Sequence, residues 1–201
     1  MEKVKTFIKI CGIKRVQDAV AAFEAGVDAV GFIFFKNSLR FVSFDYVKQM
    51  LRDLPPIKKF GVFPKIDRRI IEDMSLELSL DGIQIYHDIE GGFDRLLKIR
   101  AFFYPTIENN VTNYDFFLID FKKSGFEQIP IHLAVSLQKE FASIPAIFAG
   151  NLNKNTIKPF IKEVRPFGVD ISRGVEKSPG VKDKNLIFEI VEKIRGAEHE
   201  A

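Results

Sequence analysis

The sequence contains no tryptophan, only one cysteine and no long hydrophobic run. A single cysteine, Cys11, excludes an intramolecular disulfide and favours a reducing compartment. No signal peptide or membrane-spanning segment is visible, so we expect a cytoplasmic protein without a membrane partner. The 30 basic and 27 acidic residues are mixed along the chain, which therefore lacks the basic stripe typical of nucleic-acid-binding proteins.

Metal and nucleotide motifs are also missing. The three histidines, His87, His132 and His199, lie far apart and show no metal-ligand spacing. No dinucleotide or nucleoside-triphosphate fingerprint occurs. We therefore expect neither a metal site nor a nucleotide cofactor.

Short apolar runs alternate with amphipathic segments over the whole chain. The predicted strands are residues 7–11, 28–34, 57–63, 82–86, 100–104, 114–120, 145–149 and 167–171. Predicted helices include 16–23, 43–53, 67–79, 93–98, 157–164 and a final helix that Asp183 caps. Eight strand–helix units without a break in composition predict a single domain over residues 1–201, an α/β protein folded as a (β/α)8 TIM barrel.

An open, doubly wound sheet is the structural alternative. Such sheets usually carry a Gly-rich nucleotide turn after the first strand. Here the first strand ends in Cys11-Gly12-Ile13, which is not that turn.

In a barrel, the chemistry lies at the carboxyl ends of the strands and in the loops that follow them. Cys11 ends the first predicted strand and Asp120 ends the sixth. A buried cysteine is most often an inert apolar residue, but a thiolate at a strand end could remove a proton from carbon. Asp120 either caps a turn or acts as a general acid, because burial at the edge of an apolar interior raises the pKa of a carboxyl.

Anion-binding groups are expected in three loops. Loops after the seventh and eighth strands form the phosphate cradle of many barrels, since backbone N–H groups there can approach an anion. Arg40, after the second strand, offers a bidentate fork for a carboxylate, although a loop arginine is often only a solvated charge. The predicted phosphate-binding residues are Gly150, Asn151, Ser172, Arg173 and Gly174.

The chain resembles the phosphoribosylanthranilate isomerases over nearly its whole length. The matching segments are residues 9–13 (Lys-Ile-Cys-Gly-Ile), 18–19, 25–34, 38–43, 165–176 and 178–180. The resemblance implies a cofactor-free Amadori rearrangement in tryptophan biosynthesis, converting N-(5-phosphoribosyl)anthranilate into the 1-deoxyribulose 5-phosphate. It also implies a phosphorylated aminosugar as the small-molecule partner. We expect a monomer or a homodimer.

The same resemblance implies residue roles. Asp120 would protonate the ring oxygen of the ribose, and Cys11 would remove the proton from C2. Arg40 would pair with the anthranilate carboxylate, Asp170 would contact the sugar hydroxyls, and the residues of the two glycine-containing loops would hold the phosphate.

Several positions depart from the family pattern. Residues 84–87 read Gln-Ile-Tyr-His where Gln-Leu-His-Gly is usual, and Asn151 and Arg173 replace a glycine and a serine. Residues 122–128 differ from the usual Gly-rich loop. The altered loop motivates an alternative, a regulatory or sugar-phosphate-binding barrel with impaired catalysis. A relative of indole-glycerol-phosphate synthase is a second alternative, but that chemistry favours strand-end lysines, whereas Lys9 should lie deeper in the barrel than Cys11.

Overall fold

Eight parallel strands close into a barrel in chain order, which confirms the predicted fold. The computed structural model describes residues 5–89, 93–108, 113–141 and 143–200. The barrel strands are β1 Phe7–Cys11, β2 Ala29–Ile33, β3 Lys58–Phe63, β4 Gly82–Ile85, β5 Leu97–Phe103, β6 Phe116–Asp120, β7 Ala146–Ala149 and β8 Gly168–Ile171. Every predicted strand is present, with bounds that differ by at most a few residues.

Six α-helices surround the barrel in the described part of the chain: α1 Val16–Glu24, α2 Phe44–Met50, α3 Arg68–Glu77, α4 Ile131–Glu140, α5 Ile157–Val164 and α6 Lys184–Glu200. Asp183 caps α6 as predicted, because its Oδ1 accepts from the N–H groups of Asn185 and Leu186. None of these helices is long and apolar enough to cross a membrane.

Two helix predictions need correction, and one helix was not predicted. Residues 93–98 form no helix; Leu97 already begins β5, and Lys98 donates its N–H to the carboxylate of Asp115. The helix α4 was missed. In α1 the predicted apolar face is rotated, since Ala21 and Ala22 are buried while Phe23 is largely exposed. The small alanines allow the helix to approach the barrel closely.

The barrel interior is packed in layers from the amino-terminal to the carboxyl-terminal end of the strands. Four phenylalanine rings, Phe7, Phe60, Phe116 and Phe167, contact one another at the amino-terminal end with centroids 5.0 to 6.5 Å apart. They are four of the 21 phenylalanines in the sequence, and they close this end of the barrel. Because strand side chains alternate, Lys9 and then Cys11 point inward above Phe7.

A short antiparallel hairpin follows β8, and the sequence did not reveal it. Its strands are β9 Glu176–Ser178 and β10 Val181–Lys182, joined by a turn in which Gly180 has a φ of 78°. The hairpin returns Lys182 to the rim of the barrel, where its side chain is fully buried.

Candidate active site

All nine predicted site residues line one cavity of about 800 Å³ at the carboxyl ends of the strands. They are Cys11, Arg40, Asp120, Gly150, Asn151, Asp170, Ser172, Arg173 and Gly174. These residues come from five strands or from the loops after them, and they meet because parallel strands of a closed barrel end at the same rim.

Cys11 ends β1 and is buried against the carboxyl-terminal mouth of the barrel. An added Cβ on Gly31, the neighbouring residue on β2, would lie 2.9 Å from its Sγ and 3.2 Å from Nζ of Lys9. A glycine at this position therefore leaves room for both side chains. Burial raises the pKa of the Cys11 thiol, Asp170 raises it further, and the charges of Lys9 and Lys182 oppose the rise.

Asp120 caps a turn, as one of the two interpretations of the sequence predicts, and its carboxyl is also largely buried. Its Oδ1 accepts the N–H of Lys122 at 2.8 Å and so begins a short 3-10 helix, Phe121–Lys123. Burial raises the pKa of this carboxyl; Asp170 raises it as well, and the Lys122 N–H and the charges of Lys122 and Arg173 lower it, leaving the pKa above its ordinary value. The bond to Lys122 engages one oxygen, and the carboxyl as a whole lines the cavity.

A buried polar chain crosses the barrel beneath the cavity. Nζ of Lys9 lies 3.1 Å from Oδ2 of Asp170 and 2.9 Å from Oε1 of Gln84. Nε2 of Gln84 donates to the hydroxyl of Tyr86 at 3.1 Å. Burial alone would lower the pKa of Lys9, but Asp170 and Cys11 outweigh it and leave the pKa raised. The expectation that Lys9 lies deeper than Cys11 is met, and its charge is held by Asp170.

Arg40 is buried and engaged by a partner that the sequence did not reveal. Its Nε donates to Oε1 of Glu176 at 2.7 Å and its Nη2 to Oε2 at 2.5 Å. Glu176 also accepts from Nζ of Lys182 at 2.8 Å, and Lys182 donates to the backbone oxygens of Cys11 and Ser172. The hairpin thereby joins the rim of β1, the loop after β2 and the loop after β8.

The two glycine-containing loops pack closely against each other and against the 3-10 helix that follows β6. Gly150 and Asn151 have φ angles of 98° and 56°. A Cβ on Gly150 would lie 2.6 Å from the backbone nitrogen of Lys122, and one on Gly174 would lie 2.0 Å from the oxygen of Leu152. Only glycine fits at these two positions, because a side chain would collide with the neighbouring backbone.

Two departures from the family pattern, Asn151 and Arg173, contact each other directly. Nη2 of Arg173 donates to Oδ1 of Asn151 at 2.7 Å, and Nδ2 of Asn151 donates to the backbone oxygen of Phe126 at 2.6 Å. These two hydrogen bonds connect the loop after β6 to the loops after β7 and β8. Arg173 still lines the cavity, as does Lys122.

An aromatic wall forms another side of the cavity. The ring of Tyr86 stacks on Phe103 with centroids 4.7 Å apart and meets Phe35 edge-on at 6.2 Å. Nζ of Lys123 lies 4.1 Å above the ring of Phe103. The wall can receive an aromatic ring of a ligand.

Sequence reasoning missed Gln84, Tyr86, Glu176 and Lys182 as parts of the site. Alternation along β4 places Gln84 and Tyr86 inside the barrel and could have indicated them. Glu176 and Lys182 lie on a hairpin with no periodic signal. In the part of the chain that the structure describes, no group of three or more metal-ligating side chains occurs.

The arrangement defines a class of protein: a (β/α)8-barrel enzyme whose mouth brings a thiol, a carboxyl and cationic groups into one cavity. Comparisons with known proteins narrow the class. A family model described as N-(5'phosphoribosyl)anthranilate (PRA) isomerase matches residues 8–193. The chain belongs to this family.

The sequences of several phosphoribosylanthranilate isomerases match this chain over almost its full length. The N-(5'-phosphoribosyl)anthranilate isomerase of Thermotoga neapolitana is 32% identical, over 94% of this chain and 98% of the relative. That of Magnetococcus marinus is 33% identical, over 95% and 96%. The crystal structure of the phosphoribosyl anthranilate isomerase from Thermotoga maritima superposes with a TM-score of 0.83 at 28% identity, covering 95% of this chain and 99% of that one.

A further solved structure contains a ligand. It is a phosphoribosyl anthranilate isomerase in complex with reduced 1-(o-carboxyphenylamino)-1-deoxyribulose 5-phosphate, with a TM-score of 0.78 and 28% identity over 95% of this chain.

Proposed function

We propose that this chain is the isomerase of tryptophan biosynthesis that converts N-(5-phosphoribosyl)anthranilate into 1-(2-carboxyphenylamino)-1-deoxyribulose 5-phosphate. One observation carries the proposal: Cys11 and Asp120 line the same cavity as two anion-binding regions. The reaction needs one proton donor, one proton acceptor and a clamp at each end of the substrate. Residues 1–201 would act as one catalytic domain.

Asp120 acts first, as the general acid. Its raised pKa favours the proton-carrying carboxyl, which protonates the ring oxygen of the ribose. The ring opens to a Schiff base between C1 and the anthranilate nitrogen. The C2 proton becomes acidic because the protonated Schiff base can accept its electron pair.

Cys11 is the general base for the C2 proton. The neighbouring ammonium of Lys9 and that of Lys182 favour the thiolate, against the effect of burial. Removal of the proton gives an enolamine, which rearranges to the ketone.

The substrate would span the cavity from Arg40 to Arg173. At one end the anthranilate carboxylate pairs with the edge of the Arg40 guanidinium that Glu176 leaves available, while its ring packs on Phe35 and Tyr86. At the other end the phosphate binds at the loops after β7 and β8. Ser172, the two glycines, Asn151 and Arg173 surround that end, and Asp170 contacts the sugar hydroxyls between the two ends.

Replacing Arg40 by alanine is expected to raise the KM for phosphoribosylanthranilate by about 10- to 100-fold, since a hydrogen bond to a charged group contributes about 1.5–3 kcal/mol. Inhibition by inorganic phosphate should change by less than about twofold. Steady-state kinetics with phosphate as competitor measure both quantities. Arg52→Ala, which removes an exposed arginine two residues beyond α2, is the matched control. Equal losses for substrate and phosphate would contradict the carboxylate-binding role.

The pH dependence follows from the two raised pKa values. The carboxyl of Asp120 is more acidic than the thiol of Cys11, and the active form, carboxyl protonated and thiol ionised, carries one proton. Below the carboxyl pKa both groups are protonated, and above the thiol pKa neither is. We expect kcat/KM to rise with pH through the raised pKa of Asp120 and to fall through that of Cys11. A pH profile that keeps rising into the alkaline range would contradict this pairing.

A catalytically impaired binding barrel is the second candidate, favoured by the divergent loop after β6 and its attachment to Asn151. The test is to incubate purified chain with phosphoribosylanthranilate and identify the products by chromatography. The isomerase yields the deoxyribulose phosphate. A binding barrel binds the substrate and returns it unchanged.

For the assembly state we propose a monomer or a homodimer. Among the relatives, a Thermotoga maritima enzyme is described as dimeric and has been converted to monomers. Size-exclusion chromatography with light scattering distinguishes the two states, and a larger assembly would contradict both.

A further inference from the structure

The buried polar chain beneath the cavity has a fixed direction. An ammonium group only donates, so Lys9 must face the oxygen of the Gln84 amide, which places Nε2 toward Tyr86. The oxygen of Tyr86 therefore accepts a hydrogen bond from Gln84. Consequently, the phenolic proton of Tyr86 must point away from Gln84.

The hydroxyl of Tyr86 can donate this proton in a hydrogen bond to a ligand in the cavity. Tyr86 lines the cavity together with Cys11, Asp120 and Asp170. No residue that the structure describes accepts a hydrogen bond from the phenol. Stacking on Phe103 fixes the orientation of its ring. The hydroxyl is thus a preoriented donor available to a ligand.

A matching acceptor lies on the same cavity. Oδ1 of Asp170 is buried and has no hydrogen-bond partner among the described residues, while Oδ2 is held by Lys9. A buried carboxylate oxygen without a partner is costly, so a ligand hydroxyl at this point is favoured. Tyr86 and Asp170 thus offer the cavity a donor and an acceptor, the two kinds of group that bind a sugar hydroxyl.

We propose that Tyr86 is a further catalytic residue, whose hydroxyl donates a hydrogen bond to the oxygen on C2 of the substrate while Oδ1 of Asp170 accepts the hydrogen of that same oxygen. The inference rests on the proposed function, because it assigns C2 to the position beside Cys11. The family pattern has histidine at this position, so the phenol is a property of this chain.

Cys11 takes the C2 proton, and the C2–H electrons form the C1–C2 double bond of the enolamine. The thiol then returns a proton to C1, the O–H bond at C2 breaks, and a C2–O double bond forms. The hydroxyl proton passes to Asp170 and through solvent restores Asp120. Tyr86 keeps its proton throughout and stabilises the oxygen as it becomes a carbonyl.

The electrostatic surroundings of the phenol fit this role. Burial raises the pKa of Tyr86 well above its ordinary value, and the negative charges of Asp120, Cys11 and Asp170 raise it further. The hydroxyl therefore remains a neutral donor over the pH range in which the enzyme works.

Tyr86→Phe is expected to lower kcat by about 10- to 100-fold and to change the KM by less than about threefold, because the lost hydrogen bond is strongest when C2 becomes a carbonyl. The phenylalanine ring retains the stacking on Phe103. Tyr104→Phe is the matched control, since Tyr104 stacks on Phe121 and does not line the cavity. This control should keep the wild-type kcat.

A second variant tests the direction of the bond. In Gln84→Glu the introduced carboxylate accepts from Lys9 and from the phenol, which turns the phenolic proton away from the cavity. We expect a loss in kcat comparable with that of Tyr86→Phe. Binding of the reduced product, measured by calorimetry, verifies that each variant retains a folded cavity.

The outcomes separate the two proposals. Wild-type turnover with a tenfold or greater loss of kcat in both variants supports the role of Tyr86. Wild-type turnover with an unchanged kcat in Tyr86→Phe, or with a change in KM alone, overturns it and leaves the proposed function intact. A wild-type chain that binds the substrate without converting it overturns the proposed function, and this inference with it.

Discussion

Asp120→Asn is expected to reduce kcat for phosphoribosylanthranilate by about 10²- to 10⁴-fold, because positioned acid–base groups contribute that much and an amide has no acidic proton. The change is nearly isosteric. The amide oxygen can still accept the N–H of Lys122 and cap the 3-10 helix. Affinity for the reduced product should therefore change by less than about threefold.

The control for this variant is a carboxyl with the same structural role and no catalytic one. Asp115 accepts a backbone N–H from Lys98 at 2.8 Å, as Asp120 does from Lys122, but it is exposed and does not line the cavity. Asp115→Asn should retain the wild-type kcat. If Asp120→Asn also retained it, Asp120 would have no part in proton transfer.

Cys11→Ser should lower kcat by a similar 10²- to 10⁴-fold factor, since a serine hydroxyl ionises far less readily than a thiol and is a weaker base. The backbone oxygen of Cys11, which Lys182 contacts, is unaffected, so the rim of β1 should keep its position. Single-turnover kinetics at substrate saturation measure the loss without interference from binding.

A buried hydroxyl in the same cavity serves as the control for the serine. Val62 is buried, lines the cavity on β3 and has no proposed role. Val62→Thr adds a hydroxyl there while leaving the thiol in place, and we expect it to keep kcat within a few-fold of wild type. Comparable rates for Cys11→Ser and wild type would remove the thiol from the mechanism.

The strand-end residues could be predicted because the barrel itself brings them together. Once eight parallel strands are recognised, Cys11 and Asp120 must lie at the same rim. The apolar runs of β1 and β6 and the spacing of α5 were sufficient to find these elements. Burial of Ile157, Phe160, Ile161 and Val164 in α5 follows the predicted face.

Other parts of the site depend on contacts that local patterns do not encode. Glu176 reaches Arg40 across 136 positions of the chain, through a hairpin without strand-like alternation. The hydrogen bonds from Lys9 to Gln84 and on to Tyr86 join β1 to β4. These two strands are far apart in the sequence, so no local pattern predicts the contact. The buried face of α1 is determined by packing. The small alanines Ala21 and Ala22 let the helix lie close to the barrel, and the larger Val20 and Phe23 are turned away from it.

The central claim is that Cys11 and Asp120 together interconvert a phosphorylated aminosugar at this mouth. The most direct measurement is the loss of phosphoribosylanthranilate fluorescence with purified wild-type chain, Cys11→Ser and Asp120→Asn, side by side. The account predicts complete conversion by wild type and rates at least about 100-fold lower in both variants. A stable signal with wild-type chain, or equal rates in all three proteins, would contradict it.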